Sequence, residues 1–376
     1  MRRGGIVIAG VGSTAFGKLP GRSTLSLNVE ACRNALADAG IEKDAVDAVW
    51  AKVPTSALEF LYGMKVAAAL GIEPDMGGTL DLGGASNIAM IASAALAIEA
   101  GMCRVALVTM ADNPRTGSRA AYGRAAQGDA APYGWTGIAA GYALIARRHM
   151  EQHGTTEDQL GAVAVAARRH GAANPAAQLR KPITVEDHAA SPLVVDPLRR
   201  DDCALVTDGA SAVVVMSAED ARAMGVRAPV PILGIGQAHT ARDLPERSSL
   251  TRTRAADAGA RAFAMAGVGP AQVDVAQIYD CFTITALMTL EDYGFCEVGE
   301  GGAFVEGGRI ELGGALPINT SGGLLSESGL PGMQLIAEAV RQVRGEAVNQ
   351  VDGAGICVVS GQGGVMHTHA TLVVGG

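Results

Sequence analysis

The first third of the chain alternates short apolar runs with segments in which apolar residues recur at helical spacing. Residues 6–12 form an apolar run that ends in glycine, and residues 23–39 place apolar side chains on one side of a helix that ends at Gly40. The pattern continues with predicted strands at residues 46–50, 79–82 and 104–110 and predicted helices at residues 58–70 and 87–100. Strands that alternate with helices in this way are typical of an α/β fold.

The second half of the chain repeats this order of elements at roughly constant spacing. Residues 231–236 resemble the first strand, and residues 251–266 resemble the first helix. The other correspondences pair residues 273–278 with 46–49, 316–323 with 80–86, and 356–361 with 105–110. We therefore predict two copies of a βαβαβ unit, in halves that comprise residues 1–225 and 226–376. Two such copies side by side would bring their equivalent loops to one cleft.

Residues 111–202 interrupt the alternation. They contain predicted helices around residues 137–152 and 156–170, together with loop signals such as Asn174-Pro175 and Ser191-Pro192. An insertion of this size in an α/β unit usually covers or shapes a site.

Composition narrows the possible partners and the compartment. The chain has 376 residues, 50 of them glycine, and a net charge of −8, which argues against a nucleic-acid surface. The six cysteines include no CxxC pair, so neither a zinc ribbon nor a redox dithiol is indicated. Glycines interrupt the apolar run near the N-terminus, which we interpret as a first strand rather than an export signal. These features predict a cytoplasmic protein, and the lack of an apolar stretch of about 18 residues predicts that no helix spans a membrane.

The densest chemistry lies directly after the predicted strand at residues 273–278. Tyr279, Asp280 and Cys281 are consecutive, and Phe282 follows them. A phenol and a thiol are the uncharged side chains best able to exchange a proton near neutral pH once their surroundings shift their pKa values. The alternative interpretation is a buried strand end with an inert cysteine.

With this stretch, the chain resembles the thiolase superfamily, and more narrowly its sterol-carrier-type, thiolase-like lipid-transfer branch, which includes acyl-CoA retro-aldolases. Tyr279-Asp280-Cys281-Phe282 is similar to the His-Asp-Cys-Phe signature of sterol-carrier-type thiolases, and residues 319–325 are similar to the Asn-x-x-Gly-Gly turn of the family. Residues 208–212 and 360–364 resemble the family less specifically. The resemblance implies a five-layer αβαβα fold, a homodimer and an acyl-CoA substrate, with no tightly bound cofactor. It also implies a small zinc-ribbon/OB-fold partner protein, which members of this branch often have.

Two positions depart from the thiolase pattern. Gly84 stands where thiolases carry a nucleophilic cysteine at a helix N-terminus, a place that favours a thiolate. Ser86, two residues further on, is interpreted as the N-cap of the helix rather than as a nucleophile. Gly329 falls where the related aldolases of steroid side-chain degradation have a loop tyrosine, whereas Tyr279 matches their other tyrosine. An acyl transfer through a cysteine thioester is therefore not expected.

We accordingly favour retro-aldol cleavage of a β-hydroxyacyl-CoA without a covalent acyl-enzyme, which makes the chain a carbon–carbon lyase. Tyr279, Asp280 and Cys281 are the candidate catalytic residues: either the phenol or the thiol takes the hydroxyl proton, and the other returns a proton to carbon. If Cys281 is catalytic, it should react with thiol reagents faster than the other five cysteines. The candidate substrate-binding and oxyanion residues are Gly83, Gly84, Gly322, Gly323, Gly329 and His369.

Several alternatives remain open at this stage. One is a Claisen-type condensing acyltransferase in which Cys281 is the acid/base, and another is a non-catalytic protein that binds acyl-CoA or lipid. Cys357 has the spacing from Gln362 of the acid/base cysteine of biosynthetic thiolases, but its apolar strand favours a buried structural thiol. His367 and His369 lack a third ligand nearby, so no metal site is expected.

Overall fold

The computed structural model describes residues 3–118, 132, 135 and 137–376. Within these residues the strands are β1 (Ile6–Ser13), β2 (Ala48–Lys52), β3 (Met76–Leu80), β4 (Val105–Asp112), β5 (Leu193–Val195), β6 (Leu198–Arg199), β7 (Gly209–Ser217), β8 (Val230–His239), β9 (Val275–Gln277), β10 (Ile356–Gly363) and β11 (Thr368–Gly375). The α-helices are α1 (Thr24–Ala39), α2 (Tyr62–Leu70), α3 (Ser86–Glu99), α4 (Gly137–His153), α5 (Glu157–Ala173), α6 (Val185–Ala190), α7 (Ala218–Ala223), α8 (Ala255–Ala266), α9 (Thr283–Asp292), α10 (Gly301–Val305), α11 (Gly323–Ser326) and α12 (Met333–Arg344). Residues 119–131, 133, 134 and 136 of the predicted insertion lie outside the described residues.

The two parts of the chain share one strand order. In the large mixed sheet the order is β3-β2-β4-β7-β1-β8-β11-β10-β9, and β1 meets β8 only through Val7 with Pro231 and Ile8 with Val230. Ile318 forms a parallel bridge to Ala276 of β9, on the side where β3 pairs with β2 in the first part. The order of third, second, fourth, fifth and first strand is therefore the same in both parts, as expected of a duplicated unit.

Three layers of helices enclose the strands. Helices α1 and α2 pack on the outer face of the first set of strands, and α8 and α9 pack on the outer face of the second set. Helices α3 and α12 lie between the two sets and contact strands of both, for example through Ile88 and Ile336 in one apolar cluster with Val213 and Val359. The expected five-layer αβαβα arrangement is confirmed.

The outer helices approach the first strand of each unit closely because that strand carries glycines. A Cβ built on Gly12 of β1 would lie under 3.0 Å from the backbone of α1, and a Cβ on Gly236 of β8 would lie under 3.0 Å from the carbonyl oxygen of Ala258 in α8. The two contacts occupy equivalent places in the two units. They explain why so glycine-rich a sequence gives tight packing between helix and strand.

Three element boundaries differ from the prediction. Helix α2 begins at Tyr62 rather than near residue 58, because Leu61 before it has a positive φ of 53° and the preceding residues are exposed. Strand β7 begins only at Gly209, since Cys203 instead bridges to Phe282 and its successors line a cavity. The strand expected within residues 316–323 is reduced to the single bridge of Ile318.

The described part of the insertion packs over the second unit. Helix α4 shares an apolar cluster with α9 through Tyr142, Ile145 and Leu287, and α5 packs on α9 and α11. None of the described helices has the length and apolar character needed to cross a bilayer.

We predict that Gly236→Ala lowers the free energy of unfolding by about 3 kcal/mol, since the added methyl group would overlap the backbone of α8. The matched control is Gly269→Ala, because a Cβ at Gly269 meets nothing within 4 Å and its φ of −110° suits alanine. Urea unfolding of both variants measures the difference. Equal stability of the two variants would show that β8 and α8 are not in close contact.

Candidate active site

A cavity of about 220 Å³ opens between the two units, a size that suits the reacting part of a thioester rather than a whole coenzyme conjugate. Its wall combines the start of α3, the segment before α9, and the turn between β10 and β11. Segments from elsewhere in the chain complete it. The lining residues are Lys52, Thr55, Gly83, Gly84, Ile138, Tyr142, Cys203, Ala204, Leu205, Val206, Tyr279, Cys281, Phe282, Leu324, Gly329, Pro331, Gln362, Gly363 and Gly364.

The aromatic ring of Tyr279 lies against the Cα of Gly84. A Cβ built on Gly84 would fall well under 3.0 Å from ring carbons of Tyr279 and from the carbonyl oxygen of Gln362. Tyr279 is 8% exposed, and its backbone N–H donates to Ser360 Oγ at 2.8 Å. No side chain, and hence no cysteine, fits at position 84 while the ring of Tyr279 keeps this place.

Cys281 lines the same cavity as a neutral thiol. Burial raises its pKa to about 12, although hydrogen bonding with Tyr142 and Thr285 opposes the shift. Its Sγ lies 3.8 Å from Gln362 Nε2 and 3.9 Å from Thr285 Oγ1. The thiol therefore stays protonated at neutral pH and can donate a proton. Burial also raises the pKa of Cys32 and Cys203 to about 12, so a faster reaction of Cys281 with thiol reagents would have to come from its access to the cavity rather than from its pKa.

Asp280 is not part of the cavity wall, and it links the segment before α9 to α11. Its side chain is fully buried and accepts hydrogen bonds from the N–H groups of Leu324 at 2.7 Å and Leu325 at 3.4 Å. Burial raises its pKa to about 6, and the bond from Leu324 opposes that rise. Asp280 thus fixes Leu324 in the cavity wall, and it is placed beside the predicted catalytic pair rather than in the cavity lining.

Gly322, Gly323 and His369, which the sequence predicts for substrate binding, are not among the residues that line this cavity. Gly323 has a φ of 60°, and a Cβ there would overlap the carboxylate of Asp280. Gly322 has a φ of 108°, and its Cβ would lie 2.9 Å from the Cα of Gly171. His369 is buried beneath the turn that precedes β11, where its Nε2 lies 3.3 Å from the carbonyl oxygen of Met366. Burial lowers its pKa to about 4, so it is neutral.

Gly83, Gly84 and Gly329 do line the cavity, but protein groups rather than a ligand require them to be glycine. Gly83 has a φ of 60°, and its Cβ would lie 2.6 Å from the Cα of Gly363. A Cβ on Gly329 would overlap the carbonyl oxygen of Leu205, so a tyrosine cannot occupy that position with this loop path.

Ser86 is the first residue of α3, and Ala85 takes the N-cap position, so the expected capping role is wrong. The Ser86 hydroxyl donates to the carbonyl oxygen of Gly83 at 2.6 Å and accepts from the N–H of Leu82 at 2.7 Å. It is 0% exposed and its hydrogen bonds stay within the turn, which excludes it as a nucleophile. Cys357 is likewise fully buried on β10, as a structural thiol would be.

Sequence reasoning missed four polar residues of the cavity wall: Lys52, Thr55, Tyr142 and Gln362. Lys52 is 2% exposed at the end of β2, donates to the carbonyl oxygen of Val53 at 3.0 Å and lies 3.4 Å from Asp81 Oδ1. A lysine that ends an otherwise apolar strand is the one signal that could have indicated it. Tyr142 arrives from the insertion, and its ring stacks on Phe282 with centroids 4.4 Å apart.

In the part of the chain that the structure describes, no three His, Cys, Asp or Glu side chains are grouped so that they could hold a metal ion. The polar side-chain groups of the cavity wall are a phenol pair, thiols, an amide, the hydroxyl group of Thr55 and one ammonium group. They suit proton transfer and the stabilisation of negative charge on an oxygen atom.

Comparison with known proteins gives consistent matches over nearly the whole chain. Residues 6–219 match the family model "Thiolase, N-terminal domain", and residues 236–376 match "Thiolase C-terminal domain-like". The 17-hydroxy-3-oxo-4-pregnene-20-carboxyl-CoA lyase of Mycobacterium tuberculosis is 39% identical over 92% of this chain and 93% of its own length. The steroid side-chain-cleaving aldolase of Thermomonospora curvata is 37% identical over 91% of both chains. The solved Ltp2-ChsH2(DUF35) aldolase is similar in structure, with a TM-score of 0.90 and 36% identity over 100% of this chain and 98% of that one.

We predict that Asp280 makes the protein less stable as the pH rises from about 4 to 6. The folded state holds this proton up to a pKa of about 6, whereas the unfolded chain releases it near 3.8. By linkage, this difference corresponds to about 3 kcal/mol across the window, with no further change above it.

The isosteric variant Asp280→Asn does not titrate. Its free energy of unfolding relative to the wild type should therefore improve by that amount between pH 4 and pH 7, as followed by urea unfolding at each pH. Asp44→Asn, the same substitution at an exposed aspartate, serves as the control. A difference for Asp280→Asn that does not change with pH would mean that this carboxyl has an ordinary pKa.

Proposed function

This chain belongs to the thiolase family, and we propose that it cleaves a β-hydroxyacyl-CoA by a retro-aldol reaction in the cavity at Tyr279. The observation that carries the proposal is the contact between the Tyr279 ring and Gly84, which puts a phenol where a thioester-forming cysteine would stand. The names of the two relatives, a lyase and a side-chain-cleaving aldolase, agree with a carbon–carbon lyase.

The reaction starts with Tyr279 as a phenolate, and its oxygen takes the proton of the β-hydroxyl group. The bond between the α and β carbons then breaks, which leaves a carbonyl group on the β carbon and an enolate on the thioester. The α carbon takes up a proton, for which the protonated thiol of Cys281 is the donor in the same cavity wall. The proton on Tyr279 then returns to Cys281, so that both groups are ready for another turnover.

Positive charge near the cavity favours both anions in this scheme. Lys52 brings an ammonium group to the cavity wall, where it stabilises a tyrosinate or an enolate oxygen. The backbone of Gly84 adds the N-terminal end of α3, a 14-residue helix whose dipole favours negative charge. Neither group needs to move during the reaction, which is what makes such stabilisation effective.

A covalent acyl-enzyme has no place in this cavity. Position 84 cannot carry a side chain, the Ser86 hydroxyl is held within its own turn, and the Cys281 thiol is protonated. The condensing acyltransferase alternative would require a second acyl group, and no described residue favours it.

For the substrate, we propose a steroid carboxyl-CoA with a hydroxyl group on the β carbon, of the kind in the name of the M. tuberculosis relative. A second pocket beside the turn of residues 363–366 suits the phosphates of coenzyme A. It contains Arg242, Arg247, Arg252 and Arg254, and Arg247 Nη2 is buried without a hydrogen-bond partner among the described residues. Gly364 borders the reaction cavity and Met366 borders this pocket, so one conjugate can occupy both.

We also propose a homodimer that joins through the outer edge of β3. This strand ends the sheet, and beside it Leu58, Phe60 and Leu61 are 82%, 94% and 74% exposed. Exposed edges and large apolar patches of this kind mark association surfaces.

We further propose a small DUF35-type partner protein, as in the similar Ltp2-ChsH2(DUF35) aldolase. We also propose a cytoplasmic location, because all six cysteines are free thiols.

We predict that Tyr279→Phe lowers kcat for the hydroxylated steroid thioester by about 10²–10⁴-fold, the range for a lost proton-transfer group. Product formation is followed by separating the ketone from the shortened acyl-CoA. Tyr62→Phe removes the hydroxyl group of a buried tyrosine of α2, which accepts a hydrogen bond from Asn28 of α1, and should retain the wild-type rate. A phenylalanine variant that is folded and fully active would remove Tyr279 from the mechanism.

We predict that Phe60→Glu converts the dimer to a monomer, because a charge in the patch opposes its burial. Size-exclusion chromatography with light scattering measures the mass. Val348→Glu, at another exposed apolar residue, is the control and should leave the mass unchanged. A wild-type monomer, or a dimer that persists with Glu at position 60, would contradict this interface.

A further inference from the structure

The hydroxyl group of Tyr142 has a fixed direction. It lies 2.6 Å from the carbonyl oxygen of Gly364, which can only accept a hydrogen bond. A phenol has one proton, so that proton is used in this contact. Any other hydrogen bond of the Tyr142 oxygen must be one that it accepts.

This direction fixes the amide of Gln362. The Gln362 side chain bonds the Tyr142 oxygen, and because that oxygen can only accept here, the amide must present its nitrogen to it. The same nitrogen faces Cys281 Sγ at 3.8 Å. The amide oxygen, Oε1, is therefore turned to the other side. The nitrogen and oxygen atoms of an amide have nearly the same shape, so the hydrogen-bond network decides which is which.

Gln362 Oε1 is a buried acceptor that lacks a donor. The residue is 3% exposed, and among the residues that the structure describes none donates to this atom. Buried polar atoms in folded proteins are nearly always bonded, so an unsatisfied one in a cavity wall indicates a ligand group or a structural reason. Because Gln362 lines the reaction cavity, a hydrogen-bond donor of a bound molecule can supply the missing partner.

The proposed substrate offers two kinds of donor close to its thioester group. One is the β-hydroxyl group, but its proton goes to Tyr279 in the cleavage reaction. The other is the amide N–H of the pantetheine arm, two carbons from the thioester sulfur. The 3-oxo group and the thioester carbonyl can only accept. The donor left over for Gln362 is the amide.

We propose that Gln362 Oε1 accepts a hydrogen bond from the pantetheine amide N–H next to the thioester, and that Tyr142 is the positioning residue that turns Gln362 to do so. The assignment rests on the part of the proposed function that makes a coenzyme A thioester the ligand. This bond holds the sulfur end of the substrate while the acyl end meets Tyr279. It gives the insertion, which supplies Tyr142, a direct part in substrate recognition.

Two short thioesters that differ in one group test the assignment. Both carry the 3-oxo-4-pregnene-20-carboxyl group, which lacks the 17-hydroxyl and so cannot be cleaved. One is the thioester of N-acetylcysteamine, which has the amide N–H, and the other is that of O-acetyl-2-mercaptoethanol, in which oxygen replaces it. Titration calorimetry gives the Kd of each for the wild type and for the near-isosteric variant Gln362→Met.

The wild type should bind the amide thioester about 10-fold more tightly than the ester, as expected for one buried hydrogen bond. Gln362→Met should bind both equally, and its unchanged affinity for the ester shows that it is folded. Tyr142→Phe retains the ring that stacks on Phe282 but lets the Gln362 amide turn over, so it should lose part of the preference. The preference is a readout that a merely structural role of Tyr142 would not change.

An amide preference that Gln362→Met retains overturns the assignment. A second comparison tests whether Oε1 binds the β-hydroxyl group instead. In the Tyr279→Phe background, the Kd of the 17-hydroxylated amide thioester is compared with that of the deoxy compound. If Gln362→Met abolishes the preference for the hydroxylated compound instead, Oε1 binds the hydroxyl group and the assignment is wrong. If neither thioester nor coenzyme A binds the wild type, the proposed function fails and the assignment fails with it. Loss of cleavage alone, with the amide preference intact, would concern only the proposed reaction.

Discussion

The site depends on one steric constraint, which is that the ring of Tyr279 and any side chain at position 84 cannot occupy the same space. Position 84 lies at the start of α3, where a helix N-terminus would stabilise a thiolate. A glycine there removes the sulfur nucleophile and, by the same change, admits the phenol. The loss of acyl transfer through a cysteine and the gain of a phenol for proton transfer therefore follow from the same glycine.

The surrounding loops hold this pair by contacts that leave little freedom. Asp280 binds the N–H groups of Leu324 and Leu325, Gly83 lies against Gly363, and the backbone of Gly329 lies against Leu205. These segments come from both copies of the duplicated unit, so the cavity exists only where the two copies meet. Burial keeps the Cys281 thiol neutral, while Lys52 supplies positive charge. The result is a cavity suited to anions that form during a reaction rather than to a charged nucleophile at rest.

The sequence was most informative where local pattern determines structure. Apolar periodicity predicted the strands and the duplication, because burial on one face or two imposes that period. It also placed Tyr279, Cys281 and Gly84 near one cleft. The structure places Gly322, Gly323 and His369 against protein groups, and the sequence could not show this, because a glycine indicates a close neighbour without saying whether that neighbour is ligand or protein. Tyr142 and Gln362 could not be found, because their meeting depends on how the insertion packs over residues 220 positions away.

The most direct test of the central claim is the intact mass of the enzyme, quenched during turnover of the hydroxylated steroid thioester and read by mass spectrometry. The account predicts that product accumulates while the protein keeps the mass of the unmodified chain, because position 84 has no side chain and the Cys281 thiol is protonated. A fraction of the protein that is heavier by the acyl group, and that decays as product forms, would contradict it.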